Sequence, residues 1–288
     1  MIHYREPLFR PPAEGDSLIF QAAYGCPHNG CRFCMMYKGV RYHERELDEI
    51  LKDFREGARL YPETMRIFLA DGDVMSFSFP KLKAMLEELN RLFPFLARVN
   101  TYANGSSILL KKEEELKELH RLKLNTLYVG LESGDEEVIR AVGKKESVGD
   151  MVDAVVKTQE IGFKCSVMIL LGLAGKKGSP VHALKTAEAL NNMQPRLLSA
   201  LRFIEVPGTK MNEGYEAVTE HEAVSELKTI IEALELKKTV FRANHSSNPV
   251  PLSGRFPQDR DKLLAEVGWM LSSNMLDKKG PGRLPLFL

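Results

Sequence analysis

The sequence predicts an α/β fold, a partial TIM-type (β/α)6 barrel with a C-terminal cap. Short runs rich in β-branched and apolar residues alternate with longer segments of helical period. Six strand-helix units of this kind follow one another, which favours a parallel sheet. Segments rich in cysteine, carboxylates or glycine follow several strands, and a parallel barrel gathers its chemistry at the carboxyl ends of its strands.

The predicted strands are short apolar runs that end at glycine or polar residues. The run Ile169-Leu170-Leu171, directly before Gly172, has the composition of a buried strand. We place the six strands near residues 17–23, 66–70, 98–102, 126–130, 164–171 and 197–205.

The segments between these strands carry apolar residues at helical spacing. In the first helix the spaced positions are Leu47, Ile50, Leu51, Phe54, Ala58 and Leu60. We place the five helices near residues 44–60, 79–93, 111–122, 148–161 and 180–193.

Further elements follow the sixth unit and form the predicted cap. They are a helix near 220–234, an extra strand near 239–243 and a closing helix near 258–271. No linker, repeat or low-complexity segment interrupts the chain. The predicted organisation is an N-terminal extension over 1–16, a catalytic core over 17–211 and a cap over 212–288.

The charge balance gives no general attraction to polyanions. The net charge is +1 and the isoelectric point is about 7.7, so a polyanionic partner must be met by a local patch. Lys237, Lys238, Arg242 and Arg255 lie in the carboxylate-free stretch 237–255, which is a solvated face or an anion-binding surface. No segment has signal-peptide or membrane-span character, which predicts a cytoplasmic protein with no membrane partner.

Three of the four cysteines fall within nine residues, at Cys26, Cys31 and Cys34. Three clustered thiols can hold three irons of a 4Fe-4S cluster and leave the last iron for a small molecule. A zinc site normally needs a second ligand pair, and His28 is the sole nearby candidate for a fourth ligand. The distant Cys165 is expected to be an inert, buried small hydrophobe.

The loops after later strands carry further polar chemistry. Asp71-Gly72-Asp73 presents two carboxylates to an amino group, or is a solvated turn. Glu132 follows a strand, where a carboxylate can accept both hydroxyls of a ribose, or where it leads into a helix cap. Gly172 begins a glycine-bearing loop against which an aromatic base can lie, although glycine also ends many strands.

Together these loops resemble the radical S-adenosylmethionine superfamily, in the branch of oxygen-independent coproporphyrinogen oxidase, the methylthiotransferases and the catalytic elongator subunit. The resemblance runs from about residue 17 to about residue 211. It implies that Cys26, Cys31 and Cys34 ligate a 4Fe-4S cluster whose open iron binds S-adenosylmethionine. The other residues that it implies in cofactor binding are Phe33, Asp71, Gly72, Asp73, Glu132, Ser133, Gln159 and Gly172.

In these roles Phe33 lies near the adenine, the Asp71-Gly72-Asp73 loop holds the methionyl amine and Glu132 binds the ribose. The chain departs from the family pattern in the residues 27–30 between the first two cysteines, one more than usual. Gln159, with Lys157 nearby, stands where relatives carry an arginine for the methionyl carboxylate. Met168 replaces an acid of the porphyrin enzyme.

The function predicted from the resemblance is an anaerobic oxidoreductase that cleaves S-adenosylmethionine reductively and abstracts hydrogen from a small-molecule substrate. An RNA-base-modifying enzyme and a non-catalytic heme or cluster carrier are the alternatives. The expected partner is an electron donor such as flavodoxin or ferredoxin, and nucleic acid is less favoured. Arg242, Asn244 and His245 follow the extra strand and are the predicted catalytic, substrate-facing residues, or an ordered structural loop.

Overall fold

The computed structural model describes residues 1–278, and the end of the predicted cap, residues 279–288, lies outside the described residues. The strands are β1 (Leu18–Gln21), β2 (Ala23–Tyr24), β3 (His43–Glu44), β4 (Arg66–Ala70), β5 (Arg98–Tyr102), β6 (Leu124–Glu132), β7 (Lys164–Leu171), β8 (Leu197–Arg202), β9 (Thr239–Ala243) and β10 (Leu252–Phe256).

The helices alternate with the strands of the main sheet, as the sequence predicts. They are α1 (Leu47–Leu60), α2 (Phe79–Leu92), α3 (Gly105–Leu109), α4 (Glu113–Arg121), α5 (Glu136–Ala141), α6 (Val148–Ile161), α7 (Gly175–Met193), α8 (Glu220–Ala233) and α9 (Arg260–Ser272). Short 3-10 turns lie at Pro12–Glu14 and Val74–Ser76.

The chain divides into two compact units. The first contains Met1–Asn29, Cys34–Val129 and Lys157–Cys165, and the second contains Gly30–Phe33, Gly130–Val156 and the chain from Ser166 onward. The predicted division at residues 16 and 211 remains a prediction.

The first unit contains a parallel sheet with the strand order β1-β4-β5-β6. Its helical side is apolar, where Phe20 of β1 packs on Phe54 of α1 at 4.7 Å and on Phe93 at 6.1 Å between ring centroids. The other side of the sheet carries a second aromatic group, since Phe68 lies 5.2 Å from Tyr102 and 6.0 Å from Tyr128. Burial of both faces is what the apolar strand sequences predict.

The second unit contains the strand order β7-β8-β9-β10, in which β7, β8 and β9 are parallel and β10 is antiparallel to β9. Helices α7 and α8 pack against each other in this unit. Thr219 starts α8 with a capping box, because its hydroxyl accepts from Glu222 N while the Glu222 carboxylate accepts from Thr219 N. The α/β class and the mostly parallel strands are confirmed.

Several element boundaries differ from the prediction. The first and last core strands end at Gln21 and Arg202, earlier than expected. Helix α7 starts five residues earlier than predicted, at Gly175, because Lys176 N bonds to Glu216 O and the helix accommodates Pro180 in its second turn. The cap strand near 239–243 is confirmed as β9.

Candidate cofactor site

The cysteine loop starts two residues after β2. Cys26, Cys31 and Cys34 are half-buried and form no disulfide. Within residues 1–278, no group of three or more His, Cys, Asp or Glu side chains has the arrangement of a metal site. The three half-buried thiols are donors of the kind that an iron-sulfur cluster needs. Their arrangement in this structure is not that of a preformed metal site.

Asn29 closes the loop between the first two cysteines. Its backbone has a φ of 38°, in the left-handed region, and its side-chain amide donates to Tyr37 O at 2.8 Å and to Val40 O at 3.4 Å. The ammonium of Lys38 donates back to Asn29 O at 2.6 Å. The longer spacing between the first two cysteines thus contains an asparagine whose side chain bonds to backbone carbonyls further along the chain and so holds the loop in place.

The loop after β4 packs directly on the cysteine loop. Gly72 N donates to Gly25 O at 3.1 Å. A Cβ atom on Gly72 would lie 2.6 Å from the Cβ of Cys26, so a larger residue would displace the cysteine. The absence of a side chain at Gly72 therefore allows the loop after β4 to lie against Cys26.

Asp71 is fully buried and has internal partners for both carboxylate oxygens. Gln21 Nε2 donates to Oδ2 at 2.7 Å and the Tyr37 hydroxyl donates to Oδ1 at 2.9 Å. Burial raises the pKa of Asp71 to about 6, although both hydrogen bonds favour the charged form. These contacts give Asp71 a positioning role, since it ties β1 and the cysteine loop to the end of β4.

Asp73 is held by the loop and helix that follow β5. Its Oδ2 accepts from Asn104 Nδ2 at 3.2 Å and from the Ser107 hydroxyl on α3. Its side chain is nearly inaccessible, with 3% exposed. A carboxylate with this support keeps one orientation, as a group that binds an amine must.

Lys111 is a buried cation near Asp73. Its ammonium donates to Met75 O at 2.9 Å, and burial lowers its pKa while the negative charge of Asp73 acts in the opposite direction. Lys111 thus places a buried positive charge close to the carboxylate of Asp73.

Glu132 ends β6 with a backbone φ of 65°, an uncommon value for a residue other than glycine. Its side chain folds back over Gly130, and a Cβ atom on that glycine would overlap Glu132 Oε1. Lys144 Nζ lies 3.9 Å from Oε1. Both side chains are buried, with 5% of the Lys144 side chain and 6% of the Glu132 side chain exposed. Burial raises the pKa of Glu132, and Lys144 lowers it.

The second oxygen of Glu132 distinguishes this site from an internal ion pair. Oε2 is buried and has no hydrogen-bond partner among the described residues. An unsatisfied buried carboxylate oxygen costs on the order of 1–3 kcal/mol, which a hydroxyl donor from a ligand would remove. Glu132 thus combines an ion pair to Lys144 through Oε1 with a second oxygen that could accept a hydrogen bond from a ligand.

Ser133 and Gly134 have structural partners. The Ser133 hydroxyl accepts from Asp135 N at 2.9 Å, and Gly134 N donates to the Thr186 hydroxyl at 2.9 Å on α7. A Cβ atom on Gly134 would collide with the backbone of Lys185. Both residues thus support the turn that carries Glu132, and Asp135 caps α5 as the sequence suggests for this turn.

Phe33 packs on an apolar cluster of the second unit. The cluster consists of the buried residues Val142, Leu170, Leu173 and Phe203, with Leu201 and Met211 at its edge. Arg32 N donates to Val142 O at 2.8 Å and Lys210 N donates to Arg32 O at 3.2 Å, which positions the neighbouring ring. This apolar surface suits the flat face of a nucleobase.

Gly172 serves internal packing. Its N–H donates to Glu226 Oε1 at 2.9 Å, and its carbonyl accepts from the Tyr215 hydroxyl at 3.0 Å. A Cβ atom would overlap the side chain of Val218, and the φ of 79° also favours glycine. The contact of Gly172 with an aromatic base stays a prediction, and the contacts seen here are with Val218 and Tyr215.

Gln159 lies in the last turn of α6, which leads to the amino end of β7. The loops that carry Asp73 and Glu132 instead follow the carboxyl ends of their strands. The role of Gln159 in binding the methionyl carboxylate stays a prediction. Lys144, which has no counterpart among the predicted residues, is the buried cation beside Glu132.

The polar run after β9 forms an ordered loop. His245 Nδ1 accepts from Ser247 N at 3.2 Å, so the neutral ring carries its proton on Nε2, and burial lowers its pKa. Asn248 Nδ2 donates to Ala200 O and Ala243 O. Arg242 and Asn244 are exposed. Because β9 is parallel to β8, the loops that follow these two strands lie at the same end of the sheet, as predicted.

Sequence reasoning missed Asn104, Ser107, Lys111 and Lys144. Asn104 and Ser107 directly follow the third core strand, so the rule that parallel strands gather chemistry at their carboxyl ends was the available signal. No sequence pattern around Lys144 indicates its contact with Glu132, because the chain brings the two residues together only by folding back through α5.

The family model of the radical SAM superfamily matches residues 21–185, more than half of the chain. The chain belongs to this superfamily. Membership implies a 4Fe-4S cluster and S-adenosylmethionine as cofactors, and it confirms the resemblance seen in the loops.

Among characterised proteins, the chain is similar to the heme chaperone HemW of Bacillus subtilis (strain 168), with 24% identity over 132 residues. That match covers 45% of this chain and 35% of the chaperone. The relative agrees with the predicted branch of the superfamily. The chain thus matches about a third of the length of this relative.

Solved structures share the fold. Coproporphyrinogen III oxidase (HemN) from Escherichia coli aligns with a TM-score of 0.58 and 15% identity, over 75% of this chain and 51% of that one. Methylornithine synthase (PylB) aligns with a TM-score of 0.54 and 14% identity, over 93% of this chain and 83% of that one. The predicted partial TIM-type barrel is confirmed by these likenesses. In the part of the chain described, no helix has the length and apolarity needed to cross a bilayer.

Proposed function

We propose that this protein is a radical S-adenosylmethionine enzyme acting on a small-molecule substrate. The observation that carries the proposal is Glu132, a buried carboxylate at a strand end with an oxygen that no described residue satisfies. A ribose supplies two adjacent hydroxyl donors, which would satisfy this oxygen. Family membership supports S-adenosylmethionine as the source of that ribose.

Each remaining part of the cofactor has a candidate partner in this chain. Cys26, Cys31 and Cys34 hold the cluster, and Asp73 accepts the methionyl amine in the orientation that Asn104 and Ser107 impose. Lys144 provides the buried positive charge for the methionyl carboxylate.

The apolar cluster around Phe33 receives the adenine and excludes water. A reduced 4Fe-4S cluster held by the three cysteines would supply the one electron needed to split bound S-adenosylmethionine into methionine and a 5′-deoxyadenosyl radical. His245, neutral and with its proton on Nε2, provides a hydrogen-bond donor on the substrate side.

The second candidate function is a heme carrier that retains the fold without catalysis. The similarity to the heme chaperone favours it, because a relative in the same branch bears that name. The buried Glu132 and the supported Asp73 favour the enzyme instead, since a heme carrier has no evident need for ribose and amine acceptors.

One experiment separates the two functions. Protein reconstituted anaerobically with iron and sulfide is incubated with S-adenosylmethionine and dithionite, and 5′-deoxyadenosine is quantified with and without cell extract. We expect slow production that rises when extract supplies the substrate. A parallel heme titration is followed by absorbance. Stoichiometric heme binding together with no 5′-deoxyadenosine would reject the enzyme and favour the carrier.

A further inference from the structure

Strands β9 and β10 form a two-stranded ribbon with one polar face. Directly paired residues share a face, and so do alternate residues of one strand. Arg242 is paired with Ser253, and Arg255 is paired with Val240. The opposite face is buried and apolar, with Phe241 and Phe256 in edge contact at 5.9 Å. Arg242 and Arg255 therefore project from the same side of the ribbon.

Neither guanidinium group has a counterion among the described residues. Arg242 and Arg255 are exposed, and within residues 1–278 neither side chain forms an ion pair or a hydrogen bond. The sequence from 237 to 255 contains no carboxylate. The nearest acid of this surface is Asp259, whose Oδ2 accepts from Arg255 N at 2.8 Å. The face is thus a local concentration of positive charge on a chain that is nearly neutral overall.

The same residues line an open cavity of about 430 Å³. Its polar lining consists of Arg242, Asn244, Ser253, Arg255 and Asp259. The volume lies in the range of small-molecule sites. The lining combines two planar cations with one carboxylate, a neutral amide and a hydroxyl, and the carboxylate, Asp259, accepts from Arg255 N. Arginine forks of this kind bind carboxylate or phosphate with two parallel hydrogen bonds.

The register of β8 relates this face to the candidate cofactor site. Arg242 is paired with Ser199 of β8, and Leu201 lies two residues further on the same face. Leu201 packs at the edge of the apolar cluster that also contacts Phe33. The arginines therefore lie on the sheet face that carries the proposed adenine surface, where a substrate has to be bound.

We infer that Arg242 and Arg255, assisted by Asn244 and Ser253, form a subsite for an anionic group of the substrate, a carboxylate or a phosphate. The inference rests on the proposed function and narrows its substrate class to small acidic molecules. An RNA backbone offers the same phosphate chemistry. We favour a small molecule because Arg242 and Arg255 line one concave cavity.

Binding of inorganic phosphate and of succinate to the full-length protein tests the subsite without any need for turnover. Affinities are measured by calorimetry at fixed low ionic strength for wild type, Arg242→Gln and Arg255→Gln. The control is the double variant Lys237→Gln, Lys238→Gln, which removes two positive charges, one more than either arginine variant, from the same stretch of sequence outside the cavity. Thermal unfolding of each variant verifies that the fold is intact.

We expect saturable binding of at least one probe to wild type, and a loss of roughly tenfold or more in each arginine variant. The lysine control should change affinity less than twofold, and Arg255→Lys should recover part of the loss because it restores charge without the fork. No saturable binding by either probe, or an equal loss in the lysine control, would overturn the subsite.

Two further outcomes keep this inference separate from the proposed function. Anion binding as expected with no 5′-deoxyadenosine from wild type would reject the enzyme and leave the subsite standing. The reverse result would reject the subsite alone. A short single-stranded RNA that binds tightly, with steep salt dependence and equal sensitivity to the lysine and arginine variants, would overturn the assignment to a small molecule.

Discussion

The buried carboxylates Asp71 and Glu132 follow strand ends but differ in how their oxygens are used. Both oxygens of Asp71 accept from protein donors, whereas Glu132 Oε2 has no partner among residues 1–278. Both residues also have positive φ angles, at 91° and 65°, which cost energy in residues other than glycine. The difference in hydrogen bonding supports a structural role for Asp71 and the proposed ligand-binding role of Glu132.

Glu132→Gln keeps the size of the side chain and removes its charge. We predict that it weakens S-adenosylmethionine binding by roughly 1.5–3 kcal/mol, because the hydrogen bonds to a charged acceptor are lost. Calorimetry on the reconstituted protein measures the effect. Glu137→Gln, on the exposed side of α5, is the control and should bind like wild type. Wild-type affinity in Glu132→Gln would remove this residue from the cofactor site.

Asp71 predicts a pH dependence of stability. Its pKa rises from 3.8 to about 6 on burial, so the folded chain binds this proton more tightly than the unfolded chain. The stabilisation by the protonated form is complete below pH 3.8 and is lost as the pH rises through about 6. The loss amounts to about 3 kcal/mol.

Urea unfolding of the cluster-free protein at several pH values measures this contribution. The difference in free energy of unfolding between wild type and Asp71→Asn should change by about this amount between pH 4 and pH 7, with wild type losing stability. The control Asp48→Asn, at an exposed position of α1, should follow wild type at every pH. A pH-independent difference between wild type and Asp71→Asn would contradict the assignment.

At the site, the sequence predicted the cysteines and the strand-end carboxylates but not their supporting residues. Cysteine spacing and Asp-Gly-Asp are local patterns, which sequence reasoning can detect. The bonds from Asn104 and Ser107 to Asp73, and the approach of Lys144 to Glu132, join residues that only the fold brings together. The same reason explains Gly172, whose contact with Val218 spans more than forty residues.

The turn between β7 and α7 is an element whose conformation depends on packing. Gly172 has a φ of 79°, and its missing side chain leaves room for Val218. Gly172→Ala should lower the free energy of unfolding by about 2–4 kcal/mol, from the backbone conformation and the overlap together. Urea unfolding measures the loss.

A double-mutant cycle tests the overlap itself. Val218→Ala in the Gly172→Ala background should be destabilised by about 1 kcal/mol less than the sum of the single variants, because the smaller side chain admits the new methyl group. Additive losses would show that Gly172 acts through its backbone conformation alone.

Elements with strong local patterns were predicted closely, and short ones were not. The bounds of β4, β5, β7 and α6 agree with the prediction because each is a clear apolar or amphipathic run. Helix α3 has five residues, and β10 contains an interior glycine with polar neighbours, so neither has a periodic signal. Strand β10 forms through its antiparallel pairing with β9.

For the whole molecule, fold and family define the cofactor chemistry more closely than the substrate. The superfamily match covers residues 21–185, which include the cysteines, Asp73, Glu132 and Lys144. The proposed anion subsite of Arg242 and Arg255 lies beyond that match. The proposal therefore places the binding of the substrate's anionic group in a part of the chain that the family model does not cover.

The central claim is that three clustered cysteines hold a 4Fe-4S cluster. The most direct measurement is the iron and acid-labile sulfide content per chain after anaerobic reconstitution, for wild type and for single alanine variants. We predict about four irons and four sulfides for wild type and for Cys165→Ala, whose thiol is fully buried with its pKa raised to about 11 by burial. Cys26→Ala, Cys31→Ala and Cys34→Ala should each lose the cluster. Stoichiometric zinc without iron in wild type, or full iron content in all three variants, would contradict the account.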